Sequence, residues 1–257
     1  MVQAQSVHEE TCRDVLGSQM WRDLGEYPTV KGNLVFAFYI DWFNPYTNKV
    51  AGKKVSVGAI ILVCLNLPPD LRFKTEYLFF AGIIPGPTEP TVTTLNNILD
   101  PLVDDFLQLD KGVTVVTQRC PDGRRVRARL LPVIADLVAI RKATGFAAHS
   151  AKHFCSYCTL QRDSIERCDV SRWSARIHSN VLKASKAWKM ARTVKRRDTL
   201  LKASGVRYSA LHRLAYRDTV EHNVLGIMHN WMEGILQHPP APKMGRRCGN
   251  SARSAKW

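Results

Sequence analysis

Two aspartates stand where strand-like runs stop. Asn33-Leu34-Val35-Phe36-Ala37-Phe38-Tyr39-Ile40 closes on Asp41, and Asn44-Pro45 then breaks the chain. A second run, Arg127 to Ile134, runs into Asp136. Open α/β sheets build their sites at the C-terminal ends of strands. Two strands that each deliver one carboxylate to a shared edge suit divalent-metal phosphoryl transfer, because Mg²⁺ or Mn²⁺ takes hard oxygen ligands from one or two carboxylates plus substrate phosphates. Read alone, Asp41 fits better as a strand-end turn former ahead of Asn44-Pro45. A second candidate is Cys155-Ser156-Tyr157-Cys158, a Cys-x-x-Cys whose thiolates can reach one Zn²⁺ from a tight turn. A redox pair or two packed thiols has the same spacing.

The elements that must position these groups are legible in outline. After an amphipathic N-terminal segment, strands are expected over 33–43, 55–65 and 77–84, joined by connections too short for a helical crossover and therefore antiparallel. An amphipathic helix is expected from about Thr93 to Leu109, with Leu95, Ile98, Leu99, Leu102, Val103, Phe106 and Leu107 on one stripe. Pro101 inside it implies a kink or a late start. Asp100, Asp104, Asp105 and Asp110 read as its solvated face. Val113–Gln118 and Val126–Ile134 read as paired strands turning at Pro121-Asp122-Gly123, and a helix follows from Leu137 to Thr144. Strand, strand, strand, helix, strand, with carboxylates closing the first and last, is a ribonuclease-H-like order.

The remainder is basic. Within Trp173–Arg213, Lys189, Arg192, Lys195, Arg196, Arg197 and Lys202 interleave with apolar residues as one amphipathic helix, with Ser179-Asn180 as a plausible cap. Such a face tracks nucleic-acid phosphates or is simply a solvated surface. Thr219–Gln237 resumes an apolar helical pattern. Pro239 onward is Pro-, Gly- and Arg-rich without periodicity and reads as a disordered basic tail. The expected organisation is 1–32 helix and linker, 33–145 catalytic-core half, 146–238 Cys-x-x-Cys segment and basic helical insertion, and 239–257 tail.

Composition sets outer bounds. The 257 residues carry a formal net charge of +15, and 45% are hydrophobic, enough for a real core. The charge is one-sided: residues 1–118 hold 9 Lys/Arg against 13 Asp/Glu, and residues 119–257 hold 28 against 9. A basic half of this kind points to a polyanion partner. No apolar run approaches the ~20 residues of a membrane span, so a membrane partner is not expected. Glu9 and Glu10 do not suit a signal peptide, and seven scattered cysteines suit a reducing, intracellular setting.

Four stretches together resemble a known family: Asp41-Trp42-Phe43-Asn44-Pro45, Asn66-Leu67-Pro68-Pro69, Ala81-Gly82-Ile83-Ile84-Pro85-Gly86-Pro87-Thr88-Glu89-Pro90, and Gly145-Phe146-Ala147-Ala148-His149-Ser150-Ala151-Lys152-His153-Phe154-Cys155-Ser156-Tyr157-Cys158. They look like the transposases of CACTA (En/Spm) DNA elements, in the form abundant in fungal genomes, over about Val35 to His238. The resemblance implies an α/β (α+β), ribonuclease-H-like core of the DDE type, with metal-activated water cutting DNA and a 3′-hydroxyl joining it. It further implies Asp41 and Asp136 as the first two catalytic carboxylates and Mg²⁺ ligands, DNA (in the intact family, transposon ends) as partner, self-association, and a nuclear location. His229 matches a family histidine that would join Cys155 and Cys158 on Zn²⁺, although Gly226 stands where the family has an acid or a thiol, and a satisfied core histidine remains an equal reading. His149 or His153 would then supply a fourth ligand, the alternative being a metal-free site. The family's third acid lies beyond that histidine, so the expectation is a chain truncated before the last catalytic element, inactive or DNA-binding only. The alternatives are an active nuclease using another acid such as Glu166 or Glu233, and a non-catalytic nucleic-acid-binding module that uses the basic half.

Overall fold

The computed structural model describes residues 14–46, 55–166, 173–228 and 232. A single turn of helix, α1 (Gln19–Arg22), precedes the central strand β1 (Asn33–Phe43). Then come β2 (Val57–Cys64), the short α2 (Pro69–Arg72), β3 (Leu78–Ile84), α3 (Val92–Lys111), β4 (Val113–Thr117), β5 (Cys120–Ala135), α4 (Leu137–Ala143), α5 (His178–Met190), α6 (Val194–Ser204) and β6 (Asn223–Leu225). They give a mixed sheet of six strands. Its order is β3-β2-β1-β5-β4, with β6 also paired to β5. β1, β2 and β3 form the expected antiparallel meander. β5 runs parallel to β1, and β6 parallel to β5. No described helix is long and apolar enough to cross a membrane.

β1 is apolar on both faces because both are covered. Leu34, Phe36, Phe38 and Ile40 meet the α3 and α4 side, where Leu95, Leu99, Val103 and Phe106 form the expected stripe. Val35, Ala37 and Tyr39 meet the N-terminal segment on the other side. Thr91 caps α3 by accepting from the Thr94 amide at 3.1 Å. Pro101 lies inside the helix without ending it. It sits on the exposed side, as does Asn97, whose carbonyl it leaves unpaired within the helix, so water can satisfy that group.

Three expectations are corrected. The hairpin turns at Gln118-Arg119, because Thr117 already pairs with Cys120, and Pro121-Asp122-Gly123 lies within β5. The single basic helix is two: the Thr193 side chain accepts from the Arg196 amide at 3.2 Å and starts α6 afresh. The first of them begins at His178, with Ile177 rather than Ser179-Asn180 at its cap. Finally, the described part of the 219–237 pattern is turn and strand up to Leu225, with helical backbone from Ile227. Apolar spacing there serves pairing with β5 instead of a helix face.

The segment after α6 is wedged between α3, α4 and α5 by buried polar groups. Asn96 of α3 donates to the Tyr208 carbonyl at 3.1 Å and accepts from the Ala210 amide at 2.7 Å. Ser209 Oγ donates to the Ala143 carbonyl at 2.6 Å. His212 Nδ1 accepts from the Ser209 amide at 3.4 Å and lies 2.7 Å from Ser185 Oγ, while Nε2 faces the Thr144 carbonyl at 3.1 Å. That is the neutral ring with its proton on Nε2; a second proton would oppose the Ser209 N–H. Burial, with Arg217 nearby, accordingly holds its pKa down at about 3. Burial and Arg217 also lower His222, to about 4, and its Nδ1 accepts from the Asp218 amide at 3.1 Å.

Unfolded, both imidazoles take up protons as the pH falls below about 6.5, while the folded chain refuses them until about 3 to 4. Folding therefore loses stability across that window, by roughly 2 kcal/mol per buried imidazole near pH 5. Thermal unfolding followed by circular dichroism is expected to show a falling Tm from pH 7 to 5, with a clearly shallower fall for His212→Gln.

Candidate metal edge and basic surfaces

Asp41 lies near the end of β1, opposite Ala59 of β2. Its Oδ1 accepts from the Trp42 amide at 2.8 Å, and the residue is exposed. Asp136 follows β5 directly and caps α4, its Oδ1 accepting from the Ala139 amide at 2.6 Å. The parallel register pairs Tyr39 with Ile134, so two residues further along each chain Asp41 and Asp136 stand at corresponding positions. Neighbouring strands lie about 4.8 Å apart. Tyr39 and Ile134 both face the side of the N-terminal segment, and alternation returns both aspartates to that side. Among the described hydrogen bonds, neither Oδ2 is engaged.

A bulge creates this alignment. Phe36 pairs with Leu130, but Phe38 pairs with Val133, so β5 carries one extra residue between them. Without it, Asp41 would stand opposite Ala135. Pro132, inside the bulge, has no N–H to give the ladder. The Leu131 carbonyl is taken by the buried Arg217, whose Nε donates to it at 3.0 Å while Nη2 donates to Asn223 Oδ1 at 2.5 Å and to the His222 carbonyl at 3.2 Å. One guanidinium thus joins the bulge to β6.

On the other side of the sheet Trp42 lies over Gly58, where a Cβ would meet the indole Nε1 at 3.0 Å. Lys142 of α4 approaches the Trp42 ring at 4.9 Å and is ion-paired to Glu89.

In the Cys-x-x-Cys turn, Cys155 Sγ accepts from the amides of Tyr157 and Cys158, both at 3.4 Å. Cys158 is bridged to Ala175, and burial raises its pKa. Two thiols on a turn whose amides point at sulfur fit half of a zinc site. His229 lies outside the described residues, as does Glu233. Among the described residues no three His, Cys, Asp or Glu side chains converge. His149 lines a cavity at the outer face of α4, and His153 lines a different one beside Arg176. Glu166 is exposed beyond them.

Of the basic residues, Arg192, Lys195, Arg196 and Lys202 are exposed on or beside α6. Lys189 is also exposed, with its Nζ 3.8 Å from the Tyr208 ring centre. Arg197 stacks on Trp188 at 4.9 Å and donates to the Ala191 carbonyl. The sequence reading passed over Arg141, Lys142 and Arg207, which line the cavity at α4. Their only sequence signal was the i, i+1 pair of cations in the helix directly after Asp136.

Residues 12–204 match the family described as transposase family tnp2. With three quarters of the sequence inside that match, the chain belongs to this transposase family. No curated protein matches the chain.

Asp136 holds a helix end as well as a place at the edge. Asp136→Ala is expected to cost about 1 kcal/mol of stability and Asp136→Asn only a few tenths, since Asn also caps. Urea denaturation of the two variants separates the cap from any ionic role.

Proposed function

We propose that this chain is the catalytic-core portion of a DDE-type transposase of the CACTA kind, handling DNA at a divalent ion held by Asp41 and Asp136. What carries the reading is the pair of aspartates in register at the ends of adjacent parallel strands. The path β3-β2-β1-β5-β6 through the sheet, antiparallel as far as β1 and parallel from β1 through β5 to β6, with β4 antiparallel on the first half of β5, supports a ribonuclease-H-like sheet. Membership of a transposase family supports DNA as the partner. The nucleus follows as the place of work.

Two carboxylates of this kind fit Mg²⁺ or Mn²⁺, which would polarise a phosphodiester and lower the pKa of an attacking water or 3′-hydroxyl. The chain's own part is to fix the two oxygens. Asp136 does so from a helix cap, and Asp41 from a strand anchored between β2 and β5. Binding of Mn²⁺ followed by its electron spin resonance is expected in the parent and lost in Asp41→Asn. Divalent-dependent nicking of DNA by the full chain is expected to fall at least a hundredfold in Asp41→Asn or Asp136→Asn. Nicking that survives both substitutions would remove these residues from the chemistry.

A second reading, nucleic-acid binding without chemistry, draws on the exposed cations of α6 and its approach. It predicts affinity that falls with salt and weakens when Lys195, Arg196 and Lys202 are neutralised, with a salt slope shallower by up to about 0.9 per lost phosphate contact. The Cys155–Cys158 turn we assign to zinc, with His229 as a third ligand. Elemental analysis of the purified chain is expected to find zinc, and to lose it in Cys155→Ser/Cys158→Ser; zinc retained at parental levels would exclude the thiols.

A further inference from the structure

Beside α4, and across the sheet from the two Oδ2 atoms, is a cavity of about 100 Å³. Val92, the first residue of α3, forms one wall; Val138, Arg141 and Lys142 of α4 form another; Phe146 and Arg207 close it. Among the described residues no Asp or Glu lines it. Arg141 is only 7% exposed. Its Nε, and that of Arg207, are buried with no hydrogen-bond partner. Arg207 otherwise donates Nη2 to the Phe146 carbonyl at 3.0 Å. The Arg141 guanidinium lies 5.9 Å from the Phe154 ring centre, with Cys155 and Tyr157 nearby and no carboxylate paired to it among the described residues.

Contrast Arg217, which is more deeply buried but gives three hydrogen bonds to acceptors of the chain. Burying a guanidinium away from any carboxylate costs free energy that an anion meeting its outer N–H donors would offset, and planar N–H donors match phosphate oxygens. Desolvation disfavours the charge on both arginines, as their lowered pKa values reflect. The N-terminal end of α3, a helix of 20 residues, adds positive potential at Val92.

We infer that this cavity seats one backbone phosphate of a bound nucleic acid, gripped by Arg141 and Arg207, with Lys142 at its rim. The volume suits a single phosphate and not a whole nucleotide. The apolar wall of Val92, Val138 and Phe146 suits the adjoining sugar. Location favours a DNA strand over a free anion: Arg141 lies five residues beyond Asp136, about 7.5 Å along the helix, and Lys142 stacks on Trp42, the neighbour of Asp41. The inference rests on the DNA-handling part of the proposed function and is independent of the metal.

The test is DNA binding by the full chain in EDTA, read by anisotropy of a fluorescein-labelled oligonucleotide over a series of salt concentrations. Arg141→Gln/Arg207→Gln is expected to bind about tenfold more weakly with a salt slope lower by about one. Because that pair can disturb folding, Val138→Glu is the second variant. Val138 is 57% exposed in the first turn of α4, where an acid is tolerated, so it puts a carboxylate at the mouth without touching the core. The same loss is expected, with a Tm within a few degrees of the parent. Parental affinity and slope in Val138→Glu would overturn the assignment. Inorganic phosphate, followed by ³¹P line broadening, separates the sources. Broadening that Val138→Glu abolishes, while DNA affinity stays parental, would make this a free-anion pocket and also overturn it. Nicking lost in Asp41→Asn while Val138→Glu still binds normally would leave the metal reading standing and this inference refuted. Binding lost in Val138→Glu, with nicking intact in Asp41→Asn, would do the reverse.

Discussion

The parallel pairing of β1 with β5 is the constraint on which the rest of the molecule depends. Parallel neighbours cannot be joined by a tight turn, so the chain must leave the sheet and return. The return includes α3, and the same helix covers the sheet face that Phe36, Phe38 and Ile40 present. Phe106 of α3 meets Phe36 edge-on with ring centres 6.0 Å apart. Once β5 lies beside β1, both strands end on the same edge and the two aspartates arrive together. The pairing alone is not sufficient, because the period of a strand is two and a slip of one residue exchanges its faces. The extra residue at Leu131-Pro132 moves the register by that one step. It leaves a carbonyl unpaired in the ladder, and Arg217 takes it. A fully buried cation is thus kept for geometry, since the same side chain docks β6 against β5.

Among the described residues, four arginines carry a buried guanidinium nitrogen without a partner: Arg141, Arg176, Arg207 and Arg217. Their positions differ in kind. Arg176 donates to the Cys155 and Ser204 carbonyls and stacks on Phe146 at 5.3 Å, so it ties the Cys-x-x-Cys turn to the end of α6. Arg217 ties the bulge to β6. Arg176 reaches backbone carbonyls only, and Arg217 two backbone carbonyls and the Asn223 side chain; in both the guanidinium fork clamps segments far apart in sequence. Arg141 has no such set of acceptors and Arg207 has one. Both line one cavity open toward solvent, where an acceptor from outside the chain can meet their outer N–H groups.

How much of this the sequence exposes follows from the range of each interaction. β1, the meander and the α3 stripe were legible because apolar periodicity is local and strong. Asp41 and Asp136 were legible because each terminates such a run. The register that sets them side by side was not, since it depends on a bulge whose one local mark is Pro132. The break at Ala191-Arg192-Thr193 was missed because cations and apolar residues keep helical spacing across it, while a single threonine side chain restarts the helix. β6 was missed for the opposite reason: three residues are too few to show alternation, and only β5 makes them a strand. Arg141 and Arg207 are 66 positions apart and meet only when the segment after α6 packs against α4.

On the proposed function, the uneven charge of the chain has a physical use. Two carboxylates at one edge repel the phosphates they are proposed to act on, and a divalent ion offsets that only within its own coordination sphere. Beyond it, cations among the described residues stand on the helix that Asp136 itself caps and on the exposed face of α6. Lys142 is neutralised by Glu89 and rests on Trp42, so it shapes the rim more than it adds net charge. Among the described residues neither Arg141 nor Arg207 is paired in this way. Fixed cations held in low-dielectric surroundings attract a phosphate more strongly than the mobile lysines of α6, which are solvated and screened within about 10 Å at moderate salt. A strand guided in by α6 would therefore be positioned at α4, by the cations that already bear the cost of burial.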